Sequence, residues 1–261
     1  MSERLAKFMA RSGVCSRRRA EEYIRQKRVT VNGEVVDSPA FNVEGTEKIL
    51  FDGEKLPEIE TTRLWLYYKP VGLLTTHRDD QNRPTVFDSL PPFMPRVVSV
   101  GRLDLNSEGL LLLTDDGAFA NLLTHPSGGV GKLYRVTVRP RATEEQIVKM
   151  SSGVVLDDGV KTQPAVIHVV VDEPGRTVLE ITLHEGRNRQ IRRMCEAVGL
   201  EVIRLKRSAE GPVKLGMLQP GEYRELKKSE ISALRNAALK AAPARKAAPA
   251  AARRPGPIKH D

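Results

Sequence analysis

Residues 97–117 read VVSVGRLDLNSEGLLLLTDDG. A β-branched run, Val97 to Val100, enters Gly101-Arg102-Leu103-Asp104. After a short polar break come four leucines, a threonine and Asp-Asp-Gly. Two strongly apolar runs of strand length predict two strands, with one arginine and one carboxylate set between them. The same pattern continues outward. LWLYYKPVGLLTT at 64–76, KLYRVTVRP at 132–140, GVVLDDG at 153–159, AVIHVVV at 165–171 and RTVLEITL at 176–183 read as strands parted by Gly/Pro turns. Helices are expected over 118–124, 143–151 and 188–198. Hairpin-length connections outnumber helical crossovers, so the expected fold class is α+β with a mainly antiparallel sheet.

The first 56 residues have a different texture. Leu5, Phe8 and Met9 recur at helical spacing. Ser16 can cap a second helix running to about Lys27, with Ala20, Tyr23 and Ile24 facing inward. VTVNGEVV at 29–36 carries Asn-Gly between alternating apolar residues, a strong two-residue hairpin signal. KILFDGEKL at 48–56 reads as another strand and turn. The expected organisation is a small α–β module over 1–56, a polar linker PEIETTR over 57–63, a larger domain over 64–235, and a basic Ala/Pro-rich tail over 236–261 without fixed structure.

Charge follows the same division. The chain of 261 residues carries a net +9, unevenly spread. Residues 1–28 hold nine Lys/Arg against three Asp/Glu, residues 235–261 hold seven against one, and residues 29–234 are slightly acidic. Basic ends on a near-neutral body point to a polyanionic partner, nucleic acid first. The second helix concentrates this charge in Arg17, Arg18, Arg19, Arg25, Lys27 and Arg28; a solvated helix face is the plainer alternative. No stretch of eighteen apolar residues exists, so neither a membrane helix nor a membrane partner is expected. No secretory signal is expected either. Cys15 and Cys195 are the only cysteines, and reduced structural thiols are expected. Together these favour the cytoplasm.

Several site types are missing from the pattern. There is no P-loop and no dinucleotide-binding glycine motif, and SGGVGK at 127–132 lacks phosphate-loop spacing. His77, His125, His168, His184 and His260 form no ligand-spaced cluster, so no metal is expected. What remains is Asp104 and the basic stretch EGRNRQIRRM at 185–194. A carboxylate can act as nucleophile, base or electrostatic stabiliser, and in sugar chemistry it can engage an anomeric carbon. A lone one needs a cationic partner to stay ionised. Arg187, Arg189, Arg192 and Arg193 are the candidates, with Arg189 and Arg192–Arg193 on one broad helical face. Glu108 and Asn106 read as turn residues. By spacing alone, a structural Asp–Arg pair fits as well as a catalytic one.

GRLDLNSEGLLLLTDDG closely resembles the catalytic signature of the pseudouridine synthases that modify ribosomal RNA, the branch that includes RsuA and RluB. YYKPVGLLTT at 67–76, KLYRV at 132–136, EGRNRQIRRMCEAVG at 185–199, VIRLKR at 202–207 and PGEYREL at 220–226 resemble the family's other motifs, in the family's order. Residues 3–50 resemble the small RNA-binding domain first named from ribosomal protein S-four. The EGRNRQIRR wording and the basic tail look more like the RluB-type, large-subunit members. The resemblance implies an S-four-like domain followed by a mixed-sheet catalytic domain, and a reaction without cofactor or metal. That reaction flips a uridine, breaks its glycosidic bond and rejoins the base through carbon 5. It implies Asp104 as nucleophile, Tyr134 stacking on the base, Arg192 as the basic partner of Asp104, Ile191 as pocket floor, and Arg102 filling the gap the base leaves. Arg189 would join the RNA contacts, and Lys69 would have a supporting role. The expected partner is ribosomal RNA or a pre-ribosomal particle, met by a monomer. The rival readings are an RNA-binding or ribosome-assembly factor on the same fold, a small-subunit rRNA substrate, and a carboxylate glycosidase, which leaves the basic ends unexplained.

Overall fold

Four short residues set the turns of the N-terminal module. In the computed structural model, which describes residues 2–57, 62–125 and 129–241, the module runs β1 (Glu3–Arg4), α1 (Leu5–Arg11), α2 (Arg17–Arg25), β2 (Val29–Val31), β3 (Glu34–Val36), β4 (Asn42–Val43), β5 (Ile49–Phe51) and β6 (Glu54–Lys55). The Ser16 hydroxyl accepts the Arg19 amide at 3.2 Å and caps α2. Asn32 and Gly33 both take positive φ, 53° and 89°, and fold β2 back on β3. Asp52 and Gly53 do the same between β5 and β6. Leu5, Met9, Ala20, Ile24, Val29 and Ile49 form this module's own core.

The larger domain continues with β7 (Leu64–Lys69), a 3-10 turn at Phe87–Ser89, β8 (Val98–Ser99), β9 (Glu108–Thr114), α3 (Gly117–Thr124), β10 (Lys132–Arg139), α4 (Glu144–Ser151), β11 (Val166–Glu173), β12 (Arg176–Leu183), α5 (Gln190–Glu196), β13 (Glu201–Glu210), β14 (Val213–Lys214), β15 (Tyr223–Glu225) and α6 (Lys228–Ala241). Its main sheet orders as β11-β12-β10-β13-β9-β7-β15, with β8 on β9 and β14 on β13. Every pairing is antiparallel except β9–β13.

The unbroken leucine run now has its cause. Leu110 and Leu112 pack with Phe119, Leu123 and Leu234 under α3 and α6, while Leu111 and Leu113 join Trp65, Val86 and Val97 on the opposite face. A strand covered on both sides needs no polar alternation. A third cluster beneath β10, β12 and β13 is closed by Met150 of α4 and by Ile191, Met194 and Cys195 of α5.

The parallel contact is the seam between two halves of the sheet. Glu108 pairs with Lys206 and Gly109 with Arg207. Gly109 has φ +104°, and a Cβ there would lie 2.3 Å from the Arg207 carbonyl oxygen. Both the dihedral and the space require glycine. Gly109→Ala is expected to destabilise the fold by about 3 kcal/mol or more; a urea midpoint within error of wild type would disprove this account of the seam.

Four boundaries differ from the sequence expectation. Residues 153–159 form a turn, with Val155 bridging only Lys161, because Asp157-Asp158-Gly159 bends the chain at once. Thr62 and Arg63 belong to the larger domain: Thr62 Oγ1 donates to Asp116 at 2.7 Å, and Arg63 bonds both Glu225 carboxylate oxygens at 2.7 Å. Residues 236–241 complete α6, since Ala238 is fully buried one turn beyond Leu234. The rest of the expected tail, 242–261, lies outside the described residues, as do 58–61 of the linker. The fourth is the start of α5, at Gln190.

Candidate active site

Asp104 lies in the connection between β8 and β9, and that connection is held at each carbonyl from Leu103 to Ser107. The Leu103 oxygen accepts the Thr75 hydroxyl at 2.9 Å. That of Asp104 accepts the Ser107 amide at 3.0 Å, and that of Leu105 the Gly72 amide at 2.9 Å. The Asn106 oxygen accepts Arg192 Nη2 at 2.8 Å, and that of Ser107 accepts Lys69 Nζ at 2.8 Å. Five consecutive peptide groups thus have named donors from β7, the turn after it, α5 and the loop itself. Short-range turn and long-range anchors together leave the Asp104 side chain little choice of direction.

The loop opens onto a cavity of about 450 Å³, large enough for one nucleotide base and part of its sugar. Arg102, Asp104, Tyr134, Arg189, Ile191 and Arg207 are on its wall. Arg102 and Arg189 are exposed at its surface, while Ile191 is buried. Tyr134 keeps part of its ring open, but burial of its hydroxyl pushes the phenol above its usual range; Arg207 acts downward, Glu210 and Asp104 upward. Burial, with Arg189 beside it, pulls Arg192 below the usual guanidinium range, and the charge of Asp104 acts the other way. Asp104 is thus within electrostatic reach of Tyr134 and Arg192.

The structure changes the expected geometry of the basic stretch. Helix α5 begins at Gln190, and Arg189 precedes it in the left-handed region at φ 47°. Arg189 and Arg192–Arg193 therefore do not share a helical face. The reason lies in Gln190, whose buried amide donates to Glu185 at 2.6 Å and accepts the Arg187 amide at 3.0 Å, closing the 185–189 loop on itself. Arg193 turns away to Asp157 and Asp158, the latter at 2.7 Å, and Arg187 to Glu185 at 3.2 Å. Arg192 forms no ion pair with Asp104; its fork spans the carbonyls of Asn106 and Val202, the latter at 3.0 Å. It fixes the loop that carries the carboxylate. Glu108 is no turn residue: it opens β9, buried, accepting the Tyr68 hydroxyl at 2.6 Å and Arg204 at 2.5 Å.

Arg207 and Glu210 escaped the sequence reading. Arg207 is 2% exposed and donates from Nε to the Leu110 carbonyl at 2.7 Å. The signal was present: Leu205, Arg207 and Ala209 alternate on β13, so the arginine takes an inward register between two apolar neighbours. In the N-terminal module, Arg17, Arg18, Arg19, Arg25 and Lys27 are exposed. Arg28 is engaged differently, bonded to Asp52 at 2.8 Å and stacked over Tyr23 and Phe51.

Lys69 is wholly buried, donating to the Ser107 carbonyl and to that of Pro70 at 2.9 Å. Burial brings it down to about 8, with Asp104 and Glu108 acting upward. A neutral amine still serves two carbonyls. The unfolded chain keeps this proton up to the ordinary value of 10.5, so the group adds stability as pH rises from 8 to 10.5. The stability difference between wild type and Lys69→Met should grow with pH across that window. A difference that stays flat or shrinks would contradict a depressed lysine.

Among the described residues no group of three or more His, Cys, Asp or Glu is placed to hold a metal, and no helix is long and apolar enough to cross a membrane. Cys15 and Cys195 are free and buried.

The profile of RNA pseudouridylate synthases matches residues 63–197, and that of the S4 domain matches residues 3–49. A ribosomal large subunit pseudouridine synthase B of Bacillus subtilis is 42% identical over 235 residues, 89% of this chain and 96% of that protein. An uncharacterised RNA pseudouridine synthase of Rickettsia bellii is 43% identical over 226 residues, 87% of this chain and 97% of that one. The crystal structure of a pseudouridylate synthase superposes with a TM-score of 0.64 at 34% identity, covering 88% of this chain and 99% of that chain. Fold, cavity and relatives define an RNA-modifying isomerase. The chain belongs to the RNA pseudouridylate synthase family, with an S4 domain ahead of the catalytic domain.

Proposed function

We propose that this enzyme isomerises a uridine of large-subunit ribosomal RNA, in the cytoplasm and as a monomer, using Asp104 as the group that engages the ribose. The observation that carries the site assignment is the anchored 103–107 loop, which aims one carboxylate into a base-sized cavity beside Tyr134. The large-subunit reading rests on the name of the Bacillus subtilis relative and on its near full-length match.

In this reading the target nucleotide leaves its stack at a cost of roughly a few kcal/mol. Exposed Arg102 at the cavity wall is placed to stack in the vacated gap. The base enters against Tyr134 over Ile191. The N1–C1′ bond breaks, the uracil turns, and C5 bonds to C1′; the C5 proton is lost and N1 gains one. Asp104 engages the sugar while the base is detached, and the surrounding cations offset charge that develops on the uracil.

Pseudouridine mapping on rRNA from cells with and without the gene tests the substrate. Loss of one or a few modified positions in 23S RNA is expected. An unchanged 23S map, or a loss confined to 16S RNA, would overturn the large-subunit reading.

The basic ends supply phosphate contacts in this account. Because α6 runs to Ala241, a clean truncation removes 242–261 and with it five Lys/Arg. If half of these touch phosphate, the slope of log K against log salt becomes shallower by about two. The rate at saturating RNA should hardly change. A salt slope identical to that of the full chain would show that this segment does not meet the RNA.

A further inference from the structure

Arg207 is one member of a row of charges beside the cavity, in which Arg207 and Glu210 are buried while Lys132 and Asp104 are half-buried on the cavity wall. Glu210 follows it by three positions on β13, is fully buried, and approaches Arg207 Nη2 at 3.7 Å. Neither oxygen of Glu210 has a hydrogen-bond partner. Lys132 stands opposite Glu210 in the β10–β13 register, and Tyr134 stands opposite Arg207 across an irregularity in the same pairing. Lys132 reaches only the Val130 carbonyl, at 3.4 Å. From Lys132 through Glu210 and Arg207 to Asp104 beyond Tyr134, the charges alternate in sign.

A carboxylate so enclosed is a poor source of stability. Its desolvation offsets most of what the ion pair gains, and apolar residues of similar size often replace such pairs without loss. What it does supply is a fixed partner for Arg207, whose other anchor is a single carbonyl.

We propose that Glu210 is a positioning residue for the isomerisation, holding Arg207 against Tyr134 so that the Tyr134 hydroxyl keeps its place relative to Asp104. This rests on the assignment of Tyr134 and Asp104 to the reacting site. The groups acting on the Tyr134 hydroxyl are Arg207 and Glu210 from β13 and Asp104 from the loop before β9. Lys132 lies on its own strand. Tyr134 packs against two apolar clusters, one that includes Ile191 of α5 and one that includes Leu111 of β9 and Tyr67, whose hydroxyl is bonded to Ser89 at 2.9 Å.

The test compares Glu210→Gln and Glu210→Met with wild type, using full-length enzyme and a 23S rRNA fragment at saturation. Three quantities are read: melting temperature, RNA dissociation constant, and single-turnover rate from pH 6 to 10. Both variants should melt below wild type, because each leaves the buried Arg207 charge without its ion-pair partner, and both should bind RNA within twofold. Their rate near neutrality should fall tenfold or more. The alkaline limb of the profile should move to lower pH, because removing the anion removes an influence that keeps the Tyr134 proton on. Rates and limbs equal to wild type in both variants would overturn the proposal, as would a rate loss that follows melting temperature with the limb unmoved. Tyr134→Phe serves as the control. A wild-type profile in that variant removes the assignment of Tyr134 itself; an altered one, with the Glu210 variants unmoved, removes only the role of Glu210.

Discussion

Asp104→Asn is expected to yield no detectable pseudouridine while binding RNA within a few-fold of wild type. The asparagine keeps the shape of the side chain, and the loop beneath is held through peptide carbonyls, none of which the substitution touches. Fold and cavity should therefore survive, and the change isolates the charge. An amide is no useful nucleophile toward a sugar carbon and no base toward a sugar proton. The measurement is single turnover on an rRNA fragment, beside filter binding and thermal melting. Turnover within tenfold of wild type would remove Asp104 from the chemistry, whatever the resemblance of its motif.

Arg192→Gln is expected to cut turnover by about a hundredfold, through two effects that Arg192→Lys separates. The guanidinium bridges Asn106 and Val202, 2.8 and 3.0 Å away, so it ties the carboxylate loop to the start of β13. It also contributes positive charge within reach of Asp104. Lysine restores the charge but reaches one carbonyl at a time. Charge alone would let lysine restore the rate; the bridging geometry predicts that lysine recovers only part of it. If Gln and wild type agree within twofold, the anchoring role fails and Arg189 becomes the next candidate.

How far the sequence could be read depended on the range of the interaction. Hairpins on Asn32-Gly33, the Ser16 cap and the strand at 132–139 rest on neighbours in the chain, and local chemistry identifies them. Asp104, Tyr134, Ile191 and Arg102 come from separate motifs and line one cavity. What local patterns could not reveal is who stands opposite whom. Arg207 matters because β13 runs beside β9, and nothing within ten residues of either strand announces that pairing. Glu108 looked like a turn residue because it follows Asn106-Ser107, yet its burial is decided by Tyr68 and Arg204. The 188–198 helix started late because Gln190 looks back to Glu185 instead of out to solvent. Helical periodicity carries no information about such a contact.

The parallel seam also sets when the enzyme comes into being. Leu110 and Arg207 are 97 positions apart, and contacts so distant form only after the loop between them has closed. During synthesis at roughly 5–20 residues per second, the strand bearing Arg207 emerges about 5 to 20 seconds after the leucine strand. Throughout that interval the nascent chain holds Asp104 on an unfinished half-sheet, with neither the Arg192–Val202 bridge nor the Arg207 side of the cavity in place. On the proposed assignment of Asp104, activity begins only when most of the chain has been made, and a truncated translation product ending before β13 carries the Asp104 loop without the strand that completes its cavity.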